Sequence, residues 1–543
     1  MTFLVDFDFI FYYFYLMIPA PRQDLNRSVS IAAAIMMASV LLSRIAGMFR
    51  EMTLANLGGA GSEMDAYVAA FLIPELLNHF LAGGFLSVTF IPIFQKHIAA
   101  NDEAGAWKTF SNMVTVGTAA FALALPAAVI FAPNLLSLTG FAGQNPETFA
   151  LTVRLTRIIL PAQIFFYWGA FLMAVQYAKQ KFFLPAMAPL LYNLGIIAGG
   201  IILSPVMGIE GFAWGVLIGA FLGNVAAQIP GAFGIGMRYR FRFSPADPEF
   251  VHYIKLTVPL VAGLGMSFSN EIFFRFFASF LESGAVAGAN YALRTMMILV
   301  GVFGQASGVA FYPYLAKLAV EKAYGRMSEL LNDTINKVAL YLLPLAGVMT
   351  ALAPQIVMIL YEHGKFTRES TLETAPILTM YLTGAFATSV SILAARPFYA
   401  MQKTLLPMIV STSVSILSVP LYYAFSKQLG PKGLGLASGV AGTAQFLILY
   451  IIWGKKYGGF KAVREEAVKL VKILTVSAVG AAVCYTVNGL IDGFGALGDF
   501  GRARIIAVCA AASAAALITV FGLYEVLGLQ KFRESIKGLI RKR

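Results

Sequence analysis

Ser43-Arg44-Ile45-Ala46-Gly47-Met48-Phe49-Arg50-Glu51 closes the first long apolar stretch of the chain. About fifteen apolar or small residues precede Arg44, so a helix spanning a bilayer here carries a permanent positive charge well inside it. A charge at that depth costs about 2.5 kcal/mol or more on insertion scales and normally faces a protein interior or a water-filled cavity. The stretch therefore raises two questions together: whether the chain is a bundle of membrane helices, and what a cavity lined by arginine would hold.

Composition answers the first. Hydrophobic residues make up 59% of the 543 and charged residues 12%, with a mean hydropathy of +0.75, which excludes an ordinary soluble domain. A hydrocarbon core about 30 Å thick needs roughly 20 apolar residues per helix, and such runs recur between short polar breaks. They are continuously apolar and do not alternate as barrel strands would. The expected fold is an all-α polytopic membrane protein of about 14 transmembrane helices.

Apolar length places six spans near 29–49, 64–92, 110–133, 150–177, 183–204 and 211–235. After the basic patch Arg238-Tyr-Arg-Phe-Arg242 come six more, near 252–281, 285–315, 333–361, 371–401, 405–426 and 433–454. The last two lie near 472–491 and 503–525, after a second basic linker. Residues 1–28 read as a cytoplasmic extension, with Met17 as a second candidate start. The expected organisation is a lobe over 29–242, a second over 243–456, and two extra helices with a basic tail over 457–543. Lysine and arginine gather in the breaks after even-numbered spans and are sparse after spans 1, 3, 5 and 7, which sets both termini in the cytoplasm.

The two lobes read as a duplication. Tyr177-Ala-Lys-Gln-Lys-Phe-Phe-Leu-Pro185 recurs as Tyr399-Ala-Met-Gln-Lys-Thr-Leu-Leu-Pro407, and Phe90-Ile-Pro92 with Lys96 recurs as Phe311-Tyr-Pro313 with Lys317. Two distant matches at nearly one offset, 222 and 221, argue for a repeated six-span unit. An even number of spans gives both copies the same orientation.

Intramembrane charge is concentrated in the first two spans of each half. Arg44 and Arg50 lie on span 1, Asp65, Glu75 and Asn78 on span 2, Glu271 and Arg275 four apart on span 7, and Arg294 on span 8. Arginine is always ionised, and its planar fork matches pairs of phosphate oxygens, so inward arginines suit a phosphate-bearing ligand better than a cation or an apolar drug. Arg44 and Arg294 are the leading ligand-binding candidates. Arg50, beside Glu51, reads equally well as an ion pair. Ser43, Asp65, Glu75 and Asn78 are read as supporting polar groups of the cavity, and Glu271 with Arg275 as a structural pair.

Enzymatic signatures are missing from this reading. There is no P-loop, no catalytic triad arrangement, and no metal-ligand spacing among His79, His97, His252, His363, Cys484 and Cys509. No metal or other cofactor is expected, nor nucleic acid as a partner, and the coupling ion stays open. A secondary transporter is the default reading.

Several ordered matches carry a family resemblance: Ser43-Arg44-Ile45-Ala46-Gly47 through Arg50, Met64-Asp65-Ala66-Tyr67, Pro74-Glu75-Leu76-Leu77, Phe90-Ile91-Pro92, Phe183-Leu184-Pro185-Ala186, Tyr291-Ala292-Leu293-Arg294, Gly364-Lys365-Phe366-Thr367 and Phe398-Tyr399-Ala400. Over the first twelve spans the chain resembles the MurJ (MviN-type) lipid II flippases of the multidrug/oligosaccharidyl-lipid/polysaccharide exporter superfamily. The resemblance implies two six-helix lobes in a V around a central cavity, with two C-terminal helices forming a groove for a lipid tail. It also implies a bacterial inner-membrane protein that moves the undecaprenyl-pyrophosphate-linked peptidoglycan precursor from the cytoplasmic to the outer leaflet, with cell-wall synthesis enzymes as further partners. Arg44, Arg50 and Arg294 match family arginines tied to the substrate, and Asp65 matches a family acid.

The chain departs from the family pattern at Asn78, where an arginine is usual, and at Gly83, where a glutamate is usual. It departs again at Phe274 and Met297, where acids are common. These changes leave other readings in play: a flippase for another polyprenyl-linked oligosaccharide, a cation-coupled drug exporter, and a membrane scaffold for envelope synthesis.

Overall fold

The structure is a computed structural model that describes residues 27–81, 86–143, 145–264, 269–458, 460–493 and 501–529. The expected extension over 1–28 lies almost wholly outside them. The regular secondary structure of the described residues is all helical, with no strand among them. Among them, eleven helices are long and apolar enough to cross a membrane. These coincide with spans 3 to 6 and 8 to 14, so fourteen is not reached by this measure. Span 1 falls within α1 (Arg27–Gly58). Span 2 takes in α2 (Ser62–Ala69), α3 (Leu72–Leu81) and α4 (Leu86–Ala99), the last two on either side of residues outside the description, and Pro92 lies inside α4. A proline inside a helix removes one backbone hydrogen bond and bends the axis.

Span 3 is α5 (Glu103–Leu136) and span 4 comprises α6 (Pro146–Ile159) and α7 (Ala162–Ala178). Next come α8 (Phe183–Met207), α9 (Glu210–Phe221) and α10 (Gln228–Gly234). Span 7 takes in α11 (Pro248–Leu264) and α12 (Ser269–Ala278), on either side of residues outside the description, and α13 (Ala285–Leu299) begins span 8.

The chain resolves into two compact units, one comprising Arg22–Asn290 with Tyr361–Ser370, the other containing Tyr291–Leu360 and Thr371–Arg543. The division falls in the middle of α13 and not at residue 242, for a reason visible in the packing. An aromatic core of Phe90, Phe94, Trp107, Phe110 and Phe171 takes in Tyr253 of α11, whose ring lies 6.4 Å from that of Phe171. Such rings bury large apolar areas and gain further from edge-to-face contacts, so span 7 packs with the spans before it.

Two features of the first unit depend on glycine. A Cβ on Gly195 of α8 would lie 2.3 Å from Gly219, and one on Gly199 would lie 2.4 Å from Gly215. The two helices therefore touch backbone to backbone, as small residues spaced four apart allow. The segment Tyr361–Ser370 is held against the end of α1: Lys365 donates its backbone N–H to the Asn56 carbonyl at 2.8 Å. A Cβ on Gly364, at φ +54, would lie 2.3 Å from that same oxygen.

The second unit continues with α14 (Ser307–Val320), α15 (Tyr324–Ala351), α16 (Ala353–Tyr361), α17 (Arg368–Thr383), α18 (Ala385–Ala400), α19 (Leu405–Leu429) and α20 (Pro431–Trp453). The last helices are α21 (Phe460–Gly493) and α22 (Gly501–Val526). Buried Trp453 donates to Ser328 Oγ at 3.0 Å, and Tyr524 of α22 donates to the Leu340 carbonyl at 3.3 Å. Both α20 and the last helix, α22, are thereby tied to α15. Ala512 and Ala516 of α22 are fully buried, small residues of the kind that let helices approach closely.

The repeat read from sequence is matched in backbone conformation. Gln180 (φ 58°) and Gln402 (φ 60°), Asn101 (57°) and Lys322 (54°), and Gly208 (58°) and Gly430 (60°) all take the left-handed conformation. Each pair is 221 or 222 positions apart. Two of these pairs are non-glycine residues, which seldom adopt that conformation, and their coincidence at nearly one offset points to a common ancestral unit.

Candidate functional site

Span 1 meets α8 through polar groups. Ser39 Oγ donates to the Ala186 carbonyl, and Asn193 Nδ2 donates to the Ser43 carbonyl at 3.3 Å. Arg50 donates to Asn193 Oδ1 at 3.0 Å and to Glu51 Oε1 at 2.5 Å. Asn290 Nδ2 reaches the second Glu51 oxygen at 3.5 Å. Glu51 is 4% exposed, and a buried carboxylate needs such partners. Of the two readings of Arg50, the ion pair is therefore formed, although the guanidinium keeps partial exposure, 20% of its side chain. Arg44, two turns earlier on α1, is half-buried.

Asp65 differs from the expectation that it lines a cavity. Its side chain is fully buried and accepts the backbone N–H groups of Gly284 at 2.6 Å and Ala287 at 2.7 Å. Gly284 immediately precedes α13 and Ala287 lies in its first turn, where the N–H groups have no partner within the helix. A carboxylate supplied from elsewhere in the chain satisfies them and complements the helix dipole. Asp65 acts as a cap.

Arg275 has a partner that the helical spacing does not suggest. The sequence pairs it with Glu271 four residues away, whose side chain lies outside the description. The structure gives it Glu75, 200 positions distant, in a two-pronged contact: Nη2 to Oε1 at 3.1 Å, and Nη1 to Oε2. Arg275 is 3% exposed and Glu75 37%. Span 2 and span 7 are thus tied by charge in the same region where Asp65 ties span 2 to span 8. Glu75 is engaged by an arginine before any ligand arrives. Asn78 is half-buried one turn further along α3. Of the departures, Phe274 is buried beneath the Arg275 guanidinium, 5.6 Å from its ring centre. Met297 is half-buried, and Gly83 lies outside the described residues.

In the second unit Arg294 is half-buried on α13. The sequence reading passed over another arginine there. Arg396, on α18, is half-buried with its guanidinium 5.6 Å from the centre of the Tyr312 ring, and a Cβ on Gly308 would meet its Nε at 3.2 Å. It falls inside span 10 by that span's expected bounds, five residues before its end. Among the described residues no group of three or more His, Cys, Asp or Glu side chains could hold a metal ion.

A protein-family model described as "Lipid II flippase MurJ" matches residues 54–503. A protein of Rhizobium tropici named "Probable lipid II flippase MurJ" is 30% identical over 429 residues, covering 76% of this chain and 78% of that one. A namesake from Thermotoga maritima is 26% identical over 452 residues, covering 83% and 89%. Among solved structures, "Lipid II flippase MurJ, inward closed conformation" superposes with a TM-score of 0.74 at 26% identity, covering 91% of this chain and 99% of that one. An inward-facing MATE family transporter of the MOP superfamily gives 0.65 at 15% identity, covering 80% and 99%, a likeness of fold alone.

Proposed function

The chain belongs to the lipid II flippase MurJ family, and on that premise we propose that it translocates lipid II across the bacterial cytoplasmic membrane by alternating access. The reading is of a transporter that makes and breaks no covalent bond. Its termini are cytoplasmic, by the distribution of lysine and arginine. The observation that carries it is the family match over most of the chain, joined to half-buried arginines within the spans.

Arg44 and Arg294 are the groups that engage the pyrophosphate. A pyrophosphate offers oxygens in pairs to a guanidinium fork, and a half-buried guanidinium meets them with less competition from water. Arg396 is a third basic group of the same kind. Glu75 is paired with Arg275 and Asp65 is buried against backbone N–H groups, so neither carboxylate is left open to offset the arginines. The membrane potential acts on a net charge with about 2.3 kcal/mol per 100 mV, enough to bias the return of the empty, positively charged carrier.

Depletion of the protein in its native bacterium, followed by a lipid II accessibility assay, tests the reading. Lipid II confined to the cytoplasmic leaflet is the expected result. Normal lipid II distribution with another lipid-linked glycan retained inside would transfer the activity to that glycan.

A further inference from the structure

The linker between α10 and α11 carries the run Arg238-Tyr-Arg-Phe-Arg-Phe243, which the proposed transport does not use. It has no regular secondary structure, yet it is fixed in place. Ser111 of α5 donates to the Arg238 carbonyl at 3.5 Å and accepts the Arg240 N–H at 3.1 Å. Asn112 makes a reciprocal pair with Ser244, 2.9 Å to its carbonyl and 2.8 Å from its N–H. The Tyr239 hydroxyl lies 3.0 Å from Thr115 Oγ1. Ser111, Asn112 and Thr115 are all buried, so the linker backbone supplies the partners that these polar groups need.

Both anchors lie on a single turn of α5, and the residues between them stand away from it. Phe241 is 80% exposed and Phe243 55%, while Arg238 and Arg240 are also exposed. Ser111 is eight residues into α5, roughly 12 Å along its axis at about 1.5 Å per residue, where the apolar part of span 3 begins. A loop projecting into water would not carry two bare phenylalanines between arginines. The pattern fits a membrane interface, where aromatic rings sit at headgroup level and guanidinium groups bind lipid phosphate.

We infer that Arg238–Phe243 is an interfacial strap that binds anionic phospholipid headgroups of the leaflet on the basic face of the protein, with Phe241 and Phe243 inserted among the acyl chains and Arg238 and Arg240 on the phosphates. Arg242 is partly engaged by Asp247 at 3.4 Å and contributes less. The strap joins spans 6 and 7, so anionic lipid sets the depth of that connection.

The test uses the full chain with Cys484 and Cys509 replaced by alanine and a spin label at Phe243→Cys. It is reconstituted into protein-free vesicles of phosphatidylcholine, with or without phosphatidylglycerol. With phosphatidylglycerol the label should collide with oxygen dissolved in the bilayer and be shielded from a water-soluble nickel chelate. Arg238→Gln with Arg240→Gln should shift the label toward water, by about five-fold in partition for each arginine removed, with the effect shrinking in high salt. An unchanged thermal unfolding midpoint confirms that the variant is folded. A label equally open to water in both vesicles, or indifferent to the two substitutions, overturns the proposal. Protection seen in native membranes and absent from vesicles would assign the surface to a protein partner and overturn it as well. The assay involves no lipid II, so its failure leaves the transport reading untouched.

Discussion

Asp65 accepts the backbone N–H of Ala287 at 2.7 Å, and the two residues are 222 positions apart, the offset of the internal repeat. A carboxylate of the first copy thus caps a helix of the second at its own counterpart position. Asp65→Leu should leave the Gly284 and Ala287 N–H groups buried and without this acceptor, at about 1–3 kcal/mol each. Asp65→Asn keeps one acceptor oxygen and should cost less. Thermal unfolding of the detergent-purified variants ranks them, and equal midpoints for both would refute the capping role.

Glu75→Ala removes the two-pronged partner of Arg275, a side chain only 3% exposed. Breaking a buried pair costs about 3–5 kcal/mol, and the partial exposure of Glu75 puts this case at the low end. Adding Arg275→Met to Glu75→Ala should restore part of the loss, because the buried guanidinium that lost this acceptor is removed with it. A double variant less stable than Glu75→Ala alone would show that Arg275 is held chiefly by something else.

For the proposed transport, Arg44→Ala and Arg294→Ala should each fail to support growth of a flippase-depleted bacterium while reaching normal levels in the membrane. Lysine at either position keeps the charge but loses the planar fork, so partial growth is expected. Full growth with both alanines in place would remove these residues from the substrate site.

His97 offers a handle on pH. Its ring bridges Asp102, at 2.9 Å, and Glu249, at 2.7 Å, and Thr109 donates to the other Glu249 oxygen. Partial burial opposes the cation, but hydrogen bonds to the two carboxylates outweigh it and raise the histidine above its ordinary 6.5. The folded state therefore holds the proton more tightly, so this contribution is complete below that ordinary value and fades as pH rises through the raised one. Asp102, held down chiefly by the Gly105 N–H and then by His97, behaves oppositely and loses its contribution as pH falls through its lowered value. The midpoint difference between the native chain and His97→Ala should be largest in mild acid and shrink toward alkaline pH. A difference that grows with pH would reverse the assignment.

Gly199→Ala should separate α8 from α9, since its Cβ would lie 2.4 Å from backbone at Gly215. Overpacking of this kind costs about 1–3 kcal/mol. Gly522→Ala, in α22 with nothing within 4 Å, should be neutral or slightly stabilising. Comparing the two midpoints separates close approach from helix propensity.

Much of the fold could be read from the sequence because apolar length is a local signal. Spans 3 to 6 and 8 to 14 needed nothing else, and the echo of Tyr177–Pro185 at Tyr399–Pro407 exposed the repeat. Partnerships were harder. The structure joins Arg275 to Glu75, 200 residues away, and no local rule reports such a distance. Asp65 looked like a cavity group because an acid at membrane depth usually means function. The demand of α13 for a cap becomes visible only when span 2 is set against it.

Tyr361–Ser370, whose Lys365 bonds to Asn56, also bears on biogenesis. The unit it completes otherwise ends at Asn290, about seventy residues earlier. At about 5–20 residues per second, a nascent chain waits roughly 4–14 s between finishing the body of that unit and supplying its last segment. During that interval the end of α1 lacks the partner that Lys365 later provides, a period in which a chaperone or insertase could act on it.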